Sequence, residues 1–293
     1  MNSDKKIKVL VLGANGMLGN VVLRLFAASP GFETFGSIRS SSALKFLPAN
    51  LHHRLSTGVD VENSNHMTRL FSKVQPDVVV NCIGLIKQLP ASEDPLAAIS
   101  INSLLPHWLA QLCAVAGARL VHIGTDCVFS GSKGSYKETD FSDATDLYGR
   151  SKFLGEVNYP HAVTLRTSII GHELDGAHSL LGWFLAQNGS VKGFRRAIFS
   201  GLTTPELAKV IRDCVIPHPE LRGVYHVSAD PISKYDLLVL IGRIYDKTIE
   251  INIDDQVVID RSLNSARFKE ATGYLVPAWP DLITNMREFE LQS

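Results

Sequence analysis

The chain has 293 residues, 45% hydrophobic and 20% charged, enough apolar material for a large domain carrying a smaller lobe. Its 29 basic and 29 acidic side chains cancel, which excludes the electrostatic footprint of a protein that binds nucleic acid polymers or an anionic membrane surface. Four cysteines, Cys82, Cys113, Cys127 and Cys214, lie far apart with no CxxC pair. Neither a zinc site nor a redox dithiol is indicated, and reduced thiols in a cytoplasmic protein are expected.

In chain order, the apolar run Ile7 to Leu12 predicts a strand and is too short for a signal peptide. It runs into Gly13-Ala-Asn-Gly16-Met-Leu-Gly19 and a helix over Met17 to Ala28, whose Leu18, Val21, Val22, Leu25 and Phe26 share one face. Strand, glycine turn and helix together form a phosphate-binding arrangement, which weighs against an ordinary glycine-rich turn. Gly13 would allow the tight turn, Gly16 would let backbone approach a pyrophosphate, and Gly19 would let the helix pack on the sheet.

Further strands are expected at Glu33 to Ile38, Arg54 to Thr57, Asp77 to Asn81, Arg119 to Ile123 and Ala162 to Arg166, alternating with helices such as Asp94 to Ala116. The fold class is therefore α/β, a Rossmann-type doubly wound parallel sheet over residues 1–170. After Gly171 the pattern loosens into a smaller C-terminal lobe, residues 171–293, expected to bind substrate, with segments around 203–230 packing back on the first domain. Helices are expected there at Ser179 to Gln187, Pro205 to Val215, Lys234 to Tyr245 and near Trp279 to Glu290. No segment is expected to span a membrane, and the ten histidines lack metal-ligand spacing, so no metal site is predicted.

Chemistry is concentrated in two places. Leu120-Val-His-Ile-Gly-Thr125-Asp126 reads as a strand ending in a hydroxyl and a carboxylate, at the sheet edge where such folds place reactive groups. Tyr148 and Lys152 follow a helix start at Ser142 to Asp146 and share one helical face. An ammonium beside a phenol draws its pKa of about 10 toward neutrality and suits it to acid catalysis. A packed ring with a snorkelling lysine gives the same spacing, and Thr125 is what weighs against that reading.

The glycine motif, the strand ending in Thr125-Asp126 and the YxxxK set resemble the extended short-chain dehydrogenase/reductase superfamily, and within it the dTDP-4-dehydrorhamnose reductase family. The likeness covers nearly the whole chain: Asn15 to Gly19, Thr125 to Phe129, Tyr136 to Asp140, Tyr148 to Glu156, Arg166-Thr167-Ser168, and Ser262-Leu-Asn264 with Phe268 recur in the family's order. The resemblance implies a catalytic set of Thr125, Tyr148 and Lys152. It also gives Asn102 a supporting role toward the lysine, against the equal alternative of a polar residue at a helix kink. Gly13, Asn15, Gly16, Met17, Leu18 and Gly19 would hold a pyrophosphate, Asp60 and Val61 would flank adenine, and Asn81, Cys82, Ile83 and Gly84 would line the ribose and nicotinamide, with Tyr148 and Lys152 also touching the cofactor. Arg39 and Ser40, where an acid usually contacts the ribose, suit a 2′-phosphate and favour NADP(H) over NAD(H); a solvated loop arginine is the alternative.

The implied activity is NADPH-dependent reduction of a nucleotide-activated 4-keto-6-deoxysugar for surface polysaccharide or deoxysugar biosynthesis. Candidate substrate residues are Lys87, Thr125, Asp126, Ile169, Arg195, Arg196 and Arg261. Two departures bear on the sugar pocket: Ile169 replaces a common tryptophan and Cys127 a common tyrosine. Cys127 also stands where a dehydratase would carry a glutamate, which disfavours that activity. A nucleotide-sugar epimerase and a non-catalytic NADP-binding regulatory subunit remain as alternatives, and a homodimer is compatible with the sequence.

Overall fold

The computed structural model describes residues 5–85 and 93–291. Seven strands form its main sheet: β1 (Ile7–Leu12), β2 (Phe32–Ser37), β3 (Leu55–Ser56), β4 (Val78–Asn81), β5 (Arg119–Ile123), β6 (Ala162–Arg166) and, from late in the chain, Gly223–His226. All neighbouring pairs are parallel. The spatial order is the late strand, then β6, β5, β4, β1, β2 and β3, so strand order reverses between β1 and β4. In a doubly wound sheet, that reversal opens a crevice at the carboxyl ends of the two strands.

Burial on both faces explains why these strands read as continuous apolar runs. Successive residues of β1 serve opposite layers. Val9 and Val11 pack with Val21, Val22 and Phe26 of α1 (Met17–Ala27), while Leu10 and Leu12 pack with Met67, Leu70 and Phe71 of α2 (Ser64–Val74). The second layer also takes Leu105, Leu109 and Cys113 from a long helix between β4 and β5.

That helix begins with α3 (Pro95–Ala98), widens into a π turn at Ile99–Leu104 and continues as α4 (Leu105–Ala116). By length and composition alone it could cross a membrane, a test that core helices packed inside a fold also pass. Its residues Leu105, Leu109, Ala110 and Cys113 are buried against the sheet.

After β5, α5 (Leu147–Leu154) leads to β6, and the chain then builds three small sheets. These contain β7 (Ile169–Ile170), β8 (Ser190–Phe194), β9 (Ala197–Phe199), β10 (Leu202–Thr203), β12 (Ile232–Ser233), β13 (Glu250–Asp254) and β14 (Ile259–Asp260). The seventh main-sheet strand, β11 (Gly223–His226), pairs with β6. Helices α6 (Leu180–Ala186), α7 (Thr204–Val210), α8 (Lys234–Ile244), α9 (Ala266–Thr272) and α10 (Trp279–Leu291) complete the chain. The core on the α1 side continues through Leu207 of α7, Leu237 of α8 and Leu282 of α10. One apolar interior therefore joins the first and last thirds of the sequence.

Candidate active site

The glycine turn lies at the β1–β4 reversal. Gly13 has φ +77°, a left-handed conformation that other residues adopt at a cost, and a Cβ there would come within 2.9 Å of the Ile83 side chain. At Gly19 a Cβ would stand 2.1 Å from the Gly13 carbonyl oxygen, so only glycine lets α1 start this close to the turn. The turn is tied to its neighbours by Ala14 N–H to Ser37 O at 3.0 Å and by Cys82 N–H to Leu12 O at 3.1 Å. Gly16 caps α1 without a side-chain hydrogen bond, and the first turn carries no acid. Such a helix end presents amide donors and a partial positive charge to an anion.

Around this turn stand the carboxyl ends of the other strands. Arg39 and Ser40 follow β2; Arg39 is exposed, and the Ser40 hydroxyl accepts the Ser42 N–H at 3.2 Å. Asp60, after β3, bonds its own loop, its carboxylate accepting Glu62 N–H at 3.0 Å, and Val61 is half-buried beside it. Asn81 closes β4; its Oδ1 accepts the Ile83 N–H at 3.1 Å and its Nδ2 meets His122 Nδ1 of β5 at 3.1 Å. Burial pushes the Cys82 thiol up to about 12 and keeps it a neutral wall residue.

Thr125 follows β5 and starts a short 3₁₀ turn, accepting Cys127 N–H at 3.2 Å and donating to Asp126 Oδ1 at 3.3 Å. Burial raises the Asp126 carboxyl from 3.8 to about 6, against the opposing pull of Arg261. Asp146 caps α5 by accepting the Gly149 N–H at 2.7 Å, which sets the helix register for Tyr148 and Lys152.

The Tyr148 ring is half-buried, and burial of its hydroxyl holds the phenol above its ordinary value; Cys127 adds to the shift and Thr125 opposes it. The expectation that Lys152 draws this phenol toward neutrality is thus corrected for the protein alone. Burial is the reason, while the buried Lys152 ammonium donates to the Ile123 carbonyl at 2.9 Å. Burial lowers Lys152 to about 8, opposed by Glu156. Cys127 is pushed up to about 12, chiefly by burial, and is unsuited to act as a nucleophile at neutral pH.

Asn102 sits on the π turn. Its Oδ1 accepts the Leu85 N–H at 2.9 Å, and its Nδ2 donates to Ser151 Oγ at 3.2 Å and approaches the Leu85 carbonyl at 3.5 Å. The side chain holds the backbone after β4 against α5. A Cβ on Gly84 would lie 3.5 Å from both Asn102 Oδ1 and Lys152 Nζ, so Gly84 runs between these two groups.

The substrate candidates are dispersed. Arg261 approaches the Thr125 loop, its Nε donating to Phe129 O at 2.7 Å and its Nη1 lying 3.9 Å from Cys127 Sγ. Arg195 is exposed and bound through two arms to Asp255, at 3.0 and 2.5 Å, and Arg196 is exposed next to it. Ile169 is half-buried in β7, paired with Leu202. Lys87 lies outside the described residues. Sequence reasoning missed Ser151, which receives the Asn102 amide, and the buried Glu156–Arg166 pair with His226; a glutamate one helical turn after Lys152 was the available signal.

A doubly wound parallel sheet with a glycine turn at its reversal, and a YxxxK helix beside the strand that ends in Thr125, define the extended short-chain dehydrogenase/reductase class. The sequence profile of the RmlD substrate binding domain matches residues 7–248, and the chain belongs to that family. Among curated relatives, it is 24% identical over 272 residues to a dTDP-4-dehydrorhamnose reductase of Aggregatibacter actinomycetemcomitans, covering 89% of this chain and 86% of the relative. It is 31% identical over 260 residues to methionine adenosyltransferase 2 subunit beta of Mus musculus, covering 82% and 72%. The crystal structure of dTDP-4-dehydrorhamnose reductase from Bacillus anthracis in complex with NADP superposes with a TM-score of 0.79 at 19% identity, over 97% of this chain and 98% of that one.

Proposed function

We propose that the protein is an NADPH-dependent reductase of a nucleotide-activated 4-keto-6-deoxysugar, acting in surface polysaccharide or deoxysugar biosynthesis. The observation that carries this reading is the placement of Tyr148 and Lys152 on α5 next to the strand end at Thr125, with the Lys152 ammonium on the Ile123 carbonyl at 2.9 Å and close to Gly84. The reductases among the relatives support it.

The residues present fit a dinucleotide. Gly13 to Gly19 with the open end of α1 would hold the pyrophosphate, Asp60 and Val61 would flank adenine, and Asn81 to Gly84 would line the ribose and nicotinamide. Arg39, exposed after β2 with the Ser40 hydroxyl next to it, would favour a 2′-phosphate and hence NADPH. When bound, the cofactor supplies the hydride.

The chain supplies the rest. Thr125 and Tyr148 donate hydrogen bonds to the ketone oxygen, hold the carbonyl for attack and stabilise the negative charge that develops on it. Tyr148 then gives that oxygen its proton. Lys152, charged and buried, stabilises the phenolate left behind and reaches the ribose hydroxyls. Among the described candidate cations, Arg261 approaches this set through Cys127 and would meet an anionic part of the nucleotide sugar. A division into a cofactor domain, residues 1–170, and a substrate lobe after it follows from the same reading.

The likeness to a subunit named for methionine adenosyltransferase favours a second reading, a regulatory subunit that binds NADP without turnover. The complete Thr125, Tyr148 and Lys152 set argues against it, because binding alone has no use for a proton donor. The test is loss of NADPH absorbance with dTDP-, UDP- and GDP-linked 4-keto-6-deoxysugars, repeated with NADH and with Tyr148→Phe. The variant is expected to lose turnover by at least ~100-fold, with NADPH affinity nearly unchanged. Equal rates in the variant would overturn the role of Tyr148, and cofactor binding with no oxidation of any sugar would support the regulatory reading.

A further inference from the structure

Asn81 and His122 are register partners across β4 and β5, and both are fully buried. Two residues earlier in the same strands, and so on the same face of the sheet, the partners are Val79 and Leu120, which pack in the core with α2 and α4. A polar pair therefore takes the place of an apolar one on the last rung before the chain leaves β4 for the crevice.

The hydrogen-bonding atoms of this pair are fixed by their neighbours. The Ile83 N–H can only donate, so the Asn81 atom that faces it at 3.1 Å is Oδ1. Nδ2 is then turned to His122 and donates to its Nδ1 at 3.1 Å. Burial, with Lys152 and His107 adding to it, holds His122 well below its ordinary value, so the ring is neutral and its one proton lies on Nε2. That Nε2–H has no acceptor among the described residues. A buried donor left unpaired costs stability, and an apolar side chain here would avoid the cost. What the histidine provides in exchange is the acceptor that orients the Asn81 amide, and with it the bond to Ile83. Ile83 in turn bears on the glycine turn: a Cβ on Gly13 would stand 2.9 Å from the Ile83 side chain and 3.5 Å from the Ile83 nitrogen. Asn102 holds the far end of the same segment by accepting the Leu85 N–H.

We propose that His122 is a positioning residue: as the acceptor for the Asn81 amide, it locks Cys82 and Ile83 against the Gly13 turn. Its consequence, a wall that is set before a dinucleotide arrives and so saves the cost of ordering it on binding, rests on the cofactor reading. Its effect on Ile83 rests on the geometry alone.

Two variants separate the hydrogen bond from packing. His122→Leu fills the space and removes the acceptor, whereas His122→Asn puts an acceptor oxygen in the place of Nδ1 and leaves the space partly empty. Neither of the two readouts requires turnover: the exchange rate of the Ile83 amide hydrogen by NMR, and NADPH affinity by fluorescence titration. His122→Leu is expected to exchange the Ile83 amide faster and to bind NADPH roughly three- to tenfold more weakly. His122→Asn is expected to stay near wild type in both, even with a lowered Tm. A histidine that only fills space would give the reverse order and overturn the proposal, as would a wild-type Ile83 exchange rate in His122→Leu. Should His122→Leu fail to fold, the imidazole nitrogen resonances of wild type decide: a protonated Nε2 with a bare Nδ1 on His122 sustains the proposal, and a protonated Nδ1 overturns it. Faster Ile83 exchange in His122→Leu, when wild type binds neither NADPH nor NADH, upholds the positioning role and overturns the cofactor reading instead.

Discussion

At the scale of single residues, Asp126 illustrates how a site sets aside stability. Its carboxyl is buried beside the Thr125 hydroxyl, and its pKa rises from 3.8 to about 6 in the fold. A raised folded-state value means that the folded protein holds the proton more tightly than the unfolded chain, so stability falls as pH rises through that interval. Asp126→Asn is therefore expected to stabilise the protein by on the order of 2 kcal/mol at neutral pH and to change little below pH ~4, as urea unfolding at the two pH values would show. Equal effects at both would mean that the carboxyl is not the destabilising group. The placement of Tyr148 and Lys152 on one helix and of Thr125 at a strand end was legible in the sequence, because spacing along a helix and position at a strand end are local properties. The electrostatics of the phenol were not legible. They follow from burial of the hydroxyl in the folded protein and from Cys127 beside it, which no local pattern around Tyr148 records.

At the scale of elements, the helix from Pro95 to Ala116 and the helix of Tyr148 are locked by contacts too close for any side chain. A Cβ on Gly155 would fall 1.9 Å from the Asn102 carbonyl oxygen, so the backbone itself forms the seam between the π turn and the end of α5. Gly155→Ala should push the two apart, destabilising the fold by about 1–3 kcal/mol and reducing turnover more than the loss of folded protein explains. Thermal melting and kcat on the folded fraction measure the two effects, and wild-type kcat would refute the coupling. The long helix was anticipated from its apolar face, but the π turn inside it was not: one added residue leaves the hydrophobic period almost intact while redirecting Asn102. The small strands β7, β10, β12 and β14 also escaped prediction. Each has two residues, below the length at which alternation can be recognised.

At the scale of the molecule, the first six strands of the main sheet could be read from alternating apolar segments, whereas the seventh could not be placed. β11 arrives after 56 residues of smaller elements, 167–222, and nothing local in Gly223 to His226 records that its partner is β6. Its position sets the character of the sheet's two rims. At one rim β3 is two residues long. At the other, side chains already occupy the outward backbone of β11: Arg267 Nη1 donates to the Val224 carbonyl at 3.0 Å, and the Glu138 carboxylate accepts the His226 N–H at 2.9 Å. Open rims are templates on which further chains add as strands. In this fold one rim is too short to template and the other is masked by charged side chains, so the protein carries its own protection against edge-to-edge aggregation. Glu138→Ala combined with Arg267→Ala should leave that rim bare and hasten the growth of light scattering on concentration or mild heating, while an unchanged rate would locate the protection elsewhere.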